Sequence, residues 1–241
     1  MKATLLIKNI KNIYTCNEAF DVLSNAFIAI HHEYIIDMGT HDFSKWMDSS
    51  TRVIDAQGEC VIPAFIDSCY QGYIGNTASD QVRIENEIAF ALRCNGILTM
   101  TTPLSKLQRK DLFQDIIKKR TKVDVPIVST ISEYTENPAK KFLLSCGVGN
   151  DTYHIYSLHP LAFYLYNVLH VDVETLLKSV TLWPSQIYDL KDRGSIEISK
   201  RADLLILHTQ TIEEYLKTMG VRMIRRMIKN GIPVFPDIIR C

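Results

Sequence analysis

The side chains best suited to chemistry are few and scattered. Asp151 is followed by His154 and His159, which puts one carboxylate and two imidazoles within eight residues of each other. A carboxylate helped by an imidazole or a metal ion can take a proton from water, so a local Asp/His cluster is one reading. The spacing fits no metal-binding motif, however. Gly149-Asn150 ahead of Asp151 equally suits a turn that the carboxylate caps, and solvated or interfacial histidines are the plainer reading of the other two. Cys69 closes an apolar run from Val61. A thiolate there is a nucleophile only if a neighbouring group lowers its pKa. No base stands beside it in the sequence, so a buried, inert thiol is preferred. The adjacent pair His31-His32 reads as a solvated turn, because neighbouring strand residues point to opposite faces.

The six cysteines contain no CxxC pair, and the seven histidines give no HxH and no HExxH. Disulfide frameworks and zinc knuckles are therefore not indicated, reduced thiols are expected, and any metal site must be assembled from distant parts of the chain. The 241 residues carry 27 Lys+Arg against 27 Asp+Glu. This leaves no excess charge to match a phosphate backbone or an anionic bilayer, so neither nucleic acid nor membrane is expected as a partner. No apolar run reaches the roughly 18 residues of a membrane helix, and Met1-Lys2-Ala3-Thr4 opens a strand rather than a signal peptide. The expected location is the cytoplasm.

The elements that must position these groups are β at both ends and α/β between. Ala3 to Ile10 and Ala26 to Met38 are rich in Ile, Leu and Val with partial alternation, broken by a turn at His31-His32-Glu33. Thr51 to Pro63 predicts another strand pair around the turn Gln57-Gly58. Ala202 to Leu207 and Met223 to Val234 give strands at the far end, with Asn230-Gly231 as a hairpin turn. In the middle, Ile84, Ile88 and Leu92 predict a helix that stops at Asn95-Gly96, before a buried strand from Ile97 to Met100. Pro103 to Lys119 predicts a helix, Val123 to Ile131 a strand, and Leu161 to Leu169 and Val173 to Val180 two more helices, the last capped by Asp172. Alternating helix and strand argue for a parallel sheet.

Three stretches carry a family resemblance. Val53-Ile54-Asp55-Ala56-Gln57-Gly58 followed by Val61-Ile62-Pro63-Ala64-Phe65-Ile66-Asp67-Ser68 is similar to the "VIPGFIDSH" segment of the amidohydrolase superfamily. Gly96-Ile97-Leu98-Thr99-Met100 resembles its "GiTTv". Thr181 to Leu190, followed by Gly194-Ser195-Ile196-Glu197 and Ala202-Asp203-Leu204, resembles its C-terminal "TlnpAxalGl…GsIexGkxADl" signature. Within that superfamily, Tyr215, Gly220-Val221-Arg222 and Ile228-Lys229-Asn230-Gly231 are most like imidazolonepropionase.

The resemblance implies a β-sandwich built from both termini, attached to a metal-dependent (β/α)8 barrel. The expected domains are 1–60 with 194–241 for the sandwich and 61–193 for the barrel. It also implies zinc or iron held by an HxH pair at the end of the first barrel strand, where this chain has Cys69-Tyr70-Gln71. Glutamine is a weak substitute for imidazole, so positions 69 and 71 read as degenerate ligand sites. By the same resemblance, Asp151 corresponds to the aspartate of the final barrel strand, which is a metal ligand and general base. Residues from Pro63 to Leu190 provide room for about four βα units rather than eight, so the barrel is expected to be truncated.

These readings predict an amidohydrolase-like protein that is catalytically degenerate, needs no cofactor, and serves as a binding or scaffold subunit. A homo-oligomer or a partner chain would cover the incomplete barrel. The alternative is a metal-dependent hydrolase of a cyclic amide-type C–N bond with a rebuilt or partner-completed site. A small-molecule binding protein without chemistry is the third reading.

Overall fold

A computed structural model describes residues 1–69, 78–102, 116–118, 124–147 and 155–235. Two compact units divide the chain: Met1–Ala64 with Leu190–Cys241, and Phe65–Asp189.

The first unit begins with β1 (Leu5–Tyr14), β2 (Val22–His31), β3 (Tyr34–Gly39), β4 (Arg52–Asp55) and β5 (Val61–Pro63). The chain then runs through the second unit: β6 (Phe65–Asp67), α1 (Ala78–Cys94), β7 (Ile97–Thr102), β8 (Ile116–Lys118), β9 (Ile127–Val128), α2 (Ile131–Glu136), β10 (Leu143–Leu144), α3 (His159–Asn167), α4 (Val173–Val180) and α5 (Leu182–Ile187). It returns to the first unit with β11 (Leu204–Leu207), α6 (Ile212–Lys217), β12 (Ile224–Lys229) and β13 (Ile232–Phe235).

Where the sequence predicts a sandwich, the strands of the first unit form one hydrogen-bonded sheet in the order β13-β12-β11-β5-β1-β2-β3, with β4 also pairing β1. The outer edge of β3 does not stay open. Ile35 donates its backbone N–H to the Lys200 carbonyl and accepts from Ser199, while Ala202 donates to the Glu33 carbonyl. The segment leading into β11 thus meets β3, and the sheet curls on itself around Ile7, Ile10, Ile13, Ile28, Ile30, Ile54, Val61, Leu204, Ile206 and Ile228. A smaller cluster, Ala3, Leu6, Phe27 and Ala29, is packed by Ile36, Phe43 and Trp46. Two-residue turns sit at 32–33 and 230–231. Asn230 and Gly231 both have positive φ, as a twisted hairpin requires. A Cβ on Gly231 would lie 1.8 Å from the His32 carbonyl oxygen, so only glycine fits.

Buried polar groups tie the sheet together. Asp203 accepts from Lys229 Nζ at 2.7 Å and from the Asn230 backbone N–H at 2.8 Å. The resemblance marks this aspartate, and the structure gives it a packing role.

In the second unit, β6, β7 and β8 are parallel, as are β9 and β10. α1 spans the crossover from β6 to β7, burying Ile88, Ala89 and Leu92, and it stops at Gly96, whose φ is +80°. Two expectations fail here. Ile116 and Ile117, read as part of a helix, lie in β8 and pair with Met100 and Thr101; a short run of β-branched residues has no unambiguous period. Of the strand expected over Val123 to Ile131, Ile127–Val128 is the part that is strand among the described residues. Ile131 opens α2, because Thr130 and Glu133 form a reciprocal capping box. Asp172 caps α4 as its position predicts, accepting from the Thr175 N–H. No helix among the described residues is long and apolar enough to cross a membrane.

Candidate functional site

β6 is three residues long and fully buried, and it delivers Asp67, Ser68 and Cys69 to its C-terminal end. Asp67 and Ser68 have no exposed surface, and Cys69 is buried beside them. The same end receives Ser145 and Cys146, which follow β10. An ionised carboxylate has about four lone-pair sites, and those of Asp67 meet four donors. Oδ1 accepts from the Ser145 hydroxyl at 2.7 Å and from the Cys69 backbone N–H at 3.0 Å. Oδ2 accepts from the Cys146 backbone N–H at 3.3 Å and from the Cys146 thiol. The Ser145 oxygen in turn accepts from the Gly147 N–H at 3.1 Å.

Gly147 makes this turn possible. Its φ is +59°, and a Cβ there would stand 3.1 Å from that of Ser129. A second set of bonds secures the next residue. The Ser68 carbonyl accepts from Thr101 Oγ1 at 2.6 Å and from the Tyr188 hydroxyl at 2.9 Å. The Ser68 hydroxyl is buried with no hydrogen-bond partner among the described residues. On α1, Glu85 is fully buried and accepts from Gln81 at 2.7 Å.

Among the residues singled out in the sequence, Cys69 sits at this strand end with its backbone on the Asp67 carboxylate. His159 is the first residue of α3, where its backbone N–H donates to the Ser157 hydroxyl at 3.2 Å. Gln71, Asp151 and His154 lie outside the described residues. The sequence reading missed Ser145 and Cys146. They are separated from Asp67 by 78 and 79 positions, and the only hint was their place just ahead of the Gly147–Asp151 stretch.

No family model matches the chain. A 5-methylthioadenosine/S-adenosylhomocysteine deaminase from Acetivibrio thermocellus is 38% identical over 64 residues, a match that covers 27% of this chain and 15% of that protein. Among solved structures, a zinc-bound adenosine deaminase from Xanthomonas campestris superposes with a TM-score of 0.67 at 10% identity, covering 96% of this chain and 93% of that one. Molinate hydrolase gives 0.66 at 10% identity, covering 97% and 95%. A protein described as an amidohydrolase gives 0.59 at 10% identity, covering 95% and 98%. The fold is similar to the folds of these proteins.

The adenosine deaminase that superposes on this chain binds zinc, and the described donors here do not fit that ion. The oxygens of Asp67 are taken up by protein donors, and among the described residues no set of three His, Cys, Asp or Glu side chains is arranged to hold a metal ion. The arrangement on view is a polar staple joining the strand end to the turn after β10.

Proposed function

We propose that this chain is an amidohydrolase-like protein of imidazolonepropionase-like ancestry that binds rather than hydrolyses. In this reading it works in the cytoplasm as a regulatory or scaffold subunit, paired with a second copy or a partner chain. The observation that carries the proposal is the Asp67 carboxylate, whose acceptor sites are filled by Ser145, Cys146 and Cys69. A carboxylate so occupied has no lone pair to spare for a metal or a water proton. Cys69-Tyr70-Gln71 supplies no imidazole at the positions where the resemblance expects two.

The test is metal content by inductively coupled plasma mass spectrometry of untagged protein, together with native mass and turnover of cyclic amides and nucleosides. Metal-free protein of dimeric or larger mass with no turnover is expected. Stoichiometric zinc or iron with metal-dependent hydrolysis would overturn the reading. One observation favours the alternative of a metal-dependent hydrolase acting on a cyclic amide-type C–N bond, with a partner completing the site. The 64-residue likeness is to a deaminase, a protein named for breaking a C–N bond. If the alternative holds, adding the partner and zinc restores turnover.

A further inference from the structure

The curled sheet of the first unit contains a cavity of about 270 Å³ lined by Asn9, Lys11, Asn25, Thr40, His41 and Phe43, among others. An irregularity in the sheet lies beside it. The register of β1 on β2 shifts between Ile7 and Ile10; Asn9 lies in this break with φ of +54°, and Asn25, just past it on β2, has φ of +52°. Asparagine is one of the few residues that adopts this conformation readily, and such bulges re-aim side chains next to functional sites.

Among the described residues that line it are one lysine and one histidine but no Asp or Glu. Among the described residues, no hydrogen bond or ion pair engages the Lys11 ammonium, the Asn25 amide or the Thr40 hydroxyl. Asn9 Nδ2 is held by Asp55 Oδ2 at 2.8 Å. His41 is set into the wall by design of the surrounding residues. Its Nε2 lies 2.9 Å from Asp37 Oδ2, and its ring meets Phe27 edge-on at 5.0 Å between centroids. Gly39, with φ of +151°, makes room for it, since a Cβ there would come within 2.9 Å of His41 Nδ1. Lys45 at 3.3 Å and the Trp46 indole at 2.6 Å complete the contacts to the same Asp37 oxygen. Ile10, Ala26 and Phe27 supply an apolar floor.

We infer that this cavity is a binding site for a small anion, a molecule with a carboxylate or phosphate head taken by Lys11, His41, Asn25 and Thr40 and a compact apolar body against Phe27 and Phe43. Cationic and amide donors converging beside an apolar floor are the usual make-up of such sites. The site belongs to the first unit and does not depend on the reading given for the strand-end network of β6.

The test is isothermal titration calorimetry with inorganic phosphate and, separately, benzoate, on the full chain and on Lys11→Met. Lys11 is exposed, so this variant keeps the fold. Saturable binding of either anion, weakened about tenfold in Lys11→Met, is the expected result, and which anion binds more tightly tells phosphate from carboxylate. His41→Asn, checked for folding by circular dichroism, should weaken the same anion. If neither anion saturates by about 10 mM, or if Lys11→Met binds as tightly as the parent, the site is refuted.

Discussion

The two units use buried carboxylates in opposite ways. In the curled sheet, Asp203 faces a buried ammonium, with side chains of both Asp203 and Lys229 6% exposed. At the end of β6, Asp67 is buried with donors that, among the described residues, are all neutral: a hydroxyl, a thiol and two peptide N–H groups. The first is a charge neutralised by a charge, which holds two strands in register. The second is a charge spread over hydrogen bonds, which welds a strand end to a distant turn. A buried carboxylate at a strand end therefore need not be catalytic machinery; its partners decide.

Breaking the ion pair should have the largest effect. Asp203→Ala removes the carboxylate that Lys229 Nζ reaches at 2.7 Å in the sheet interior, and a loss of about 3–5 kcal/mol is expected in urea denaturation. Lys229→Met in the same background should recover part of it, because the buried ammonium is gone. At the other carboxylate, Asp67→Ala leaves several buried donors unpaired and should cost about 3 kcal/mol, whereas Asp67→Asn keeps acceptor capacity on one oxygen and should cost less. If Asp67→Ala proved neutral while Asp203→Ala did not, the contrast between the two carboxylates would collapse.

Glycines sharpen the picture within the sheet. Gly231→Ala meets the His32 carbonyl as well as a positive φ, so about 2–3 kcal/mol is expected. Gly58→Ala has φ of +78° with nothing within 4 Å and should cost about 1 kcal/mol. The smallest effect expected is acid sensitivity of the segment over Phe27. Burial raises the Asp37 carboxyl, but hydrogen bonds from His41, Trp46 and Lys45 outweigh it and hold the carboxyl below its ordinary value of 3.8. A depressed carboxylate contributes stability above the unfolded-state value, and that contribution is lost as the pH falls through the folded one. Trp46 fluorescence in a Trp183→Phe background should therefore change below about pH 4, and Asp37→Asn should abolish the step.

Local features were legible in the sequence and long-range ones were not. The Asp172 cap, the Asn95-Gly96 stop and the Asn230-Gly231 turn each depend on a few adjacent residues, and each is where it was expected. The curl of the sheet depends on backbone bonds between Ile35 and 199–200, which no periodicity encodes. The Asp67 network failed to show for the same reason: Ser145 and Cys146 look like ordinary small residues until the fold brings them back to β6. Cys69 was recognised by its position, while the group that immobilises it was not.

The neighbouring places of β5 and β11 in the sheet carry an architectural consequence: the two strands pair antiparallel, and Ala64, just after β5, donates its backbone N–H to the carbonyl of Asp203, just before β11, at 2.9 Å. The chain leaves the curled sheet and re-enters it through adjacent doors. Everything between is, to the sheet, a loop with its ends already tied, and loop entropy grows only slowly with length. Whole strands and helices can be added to or removed from that loop without disturbing a single rung of the sheet, so a gene that shortens its middle keeps its frame.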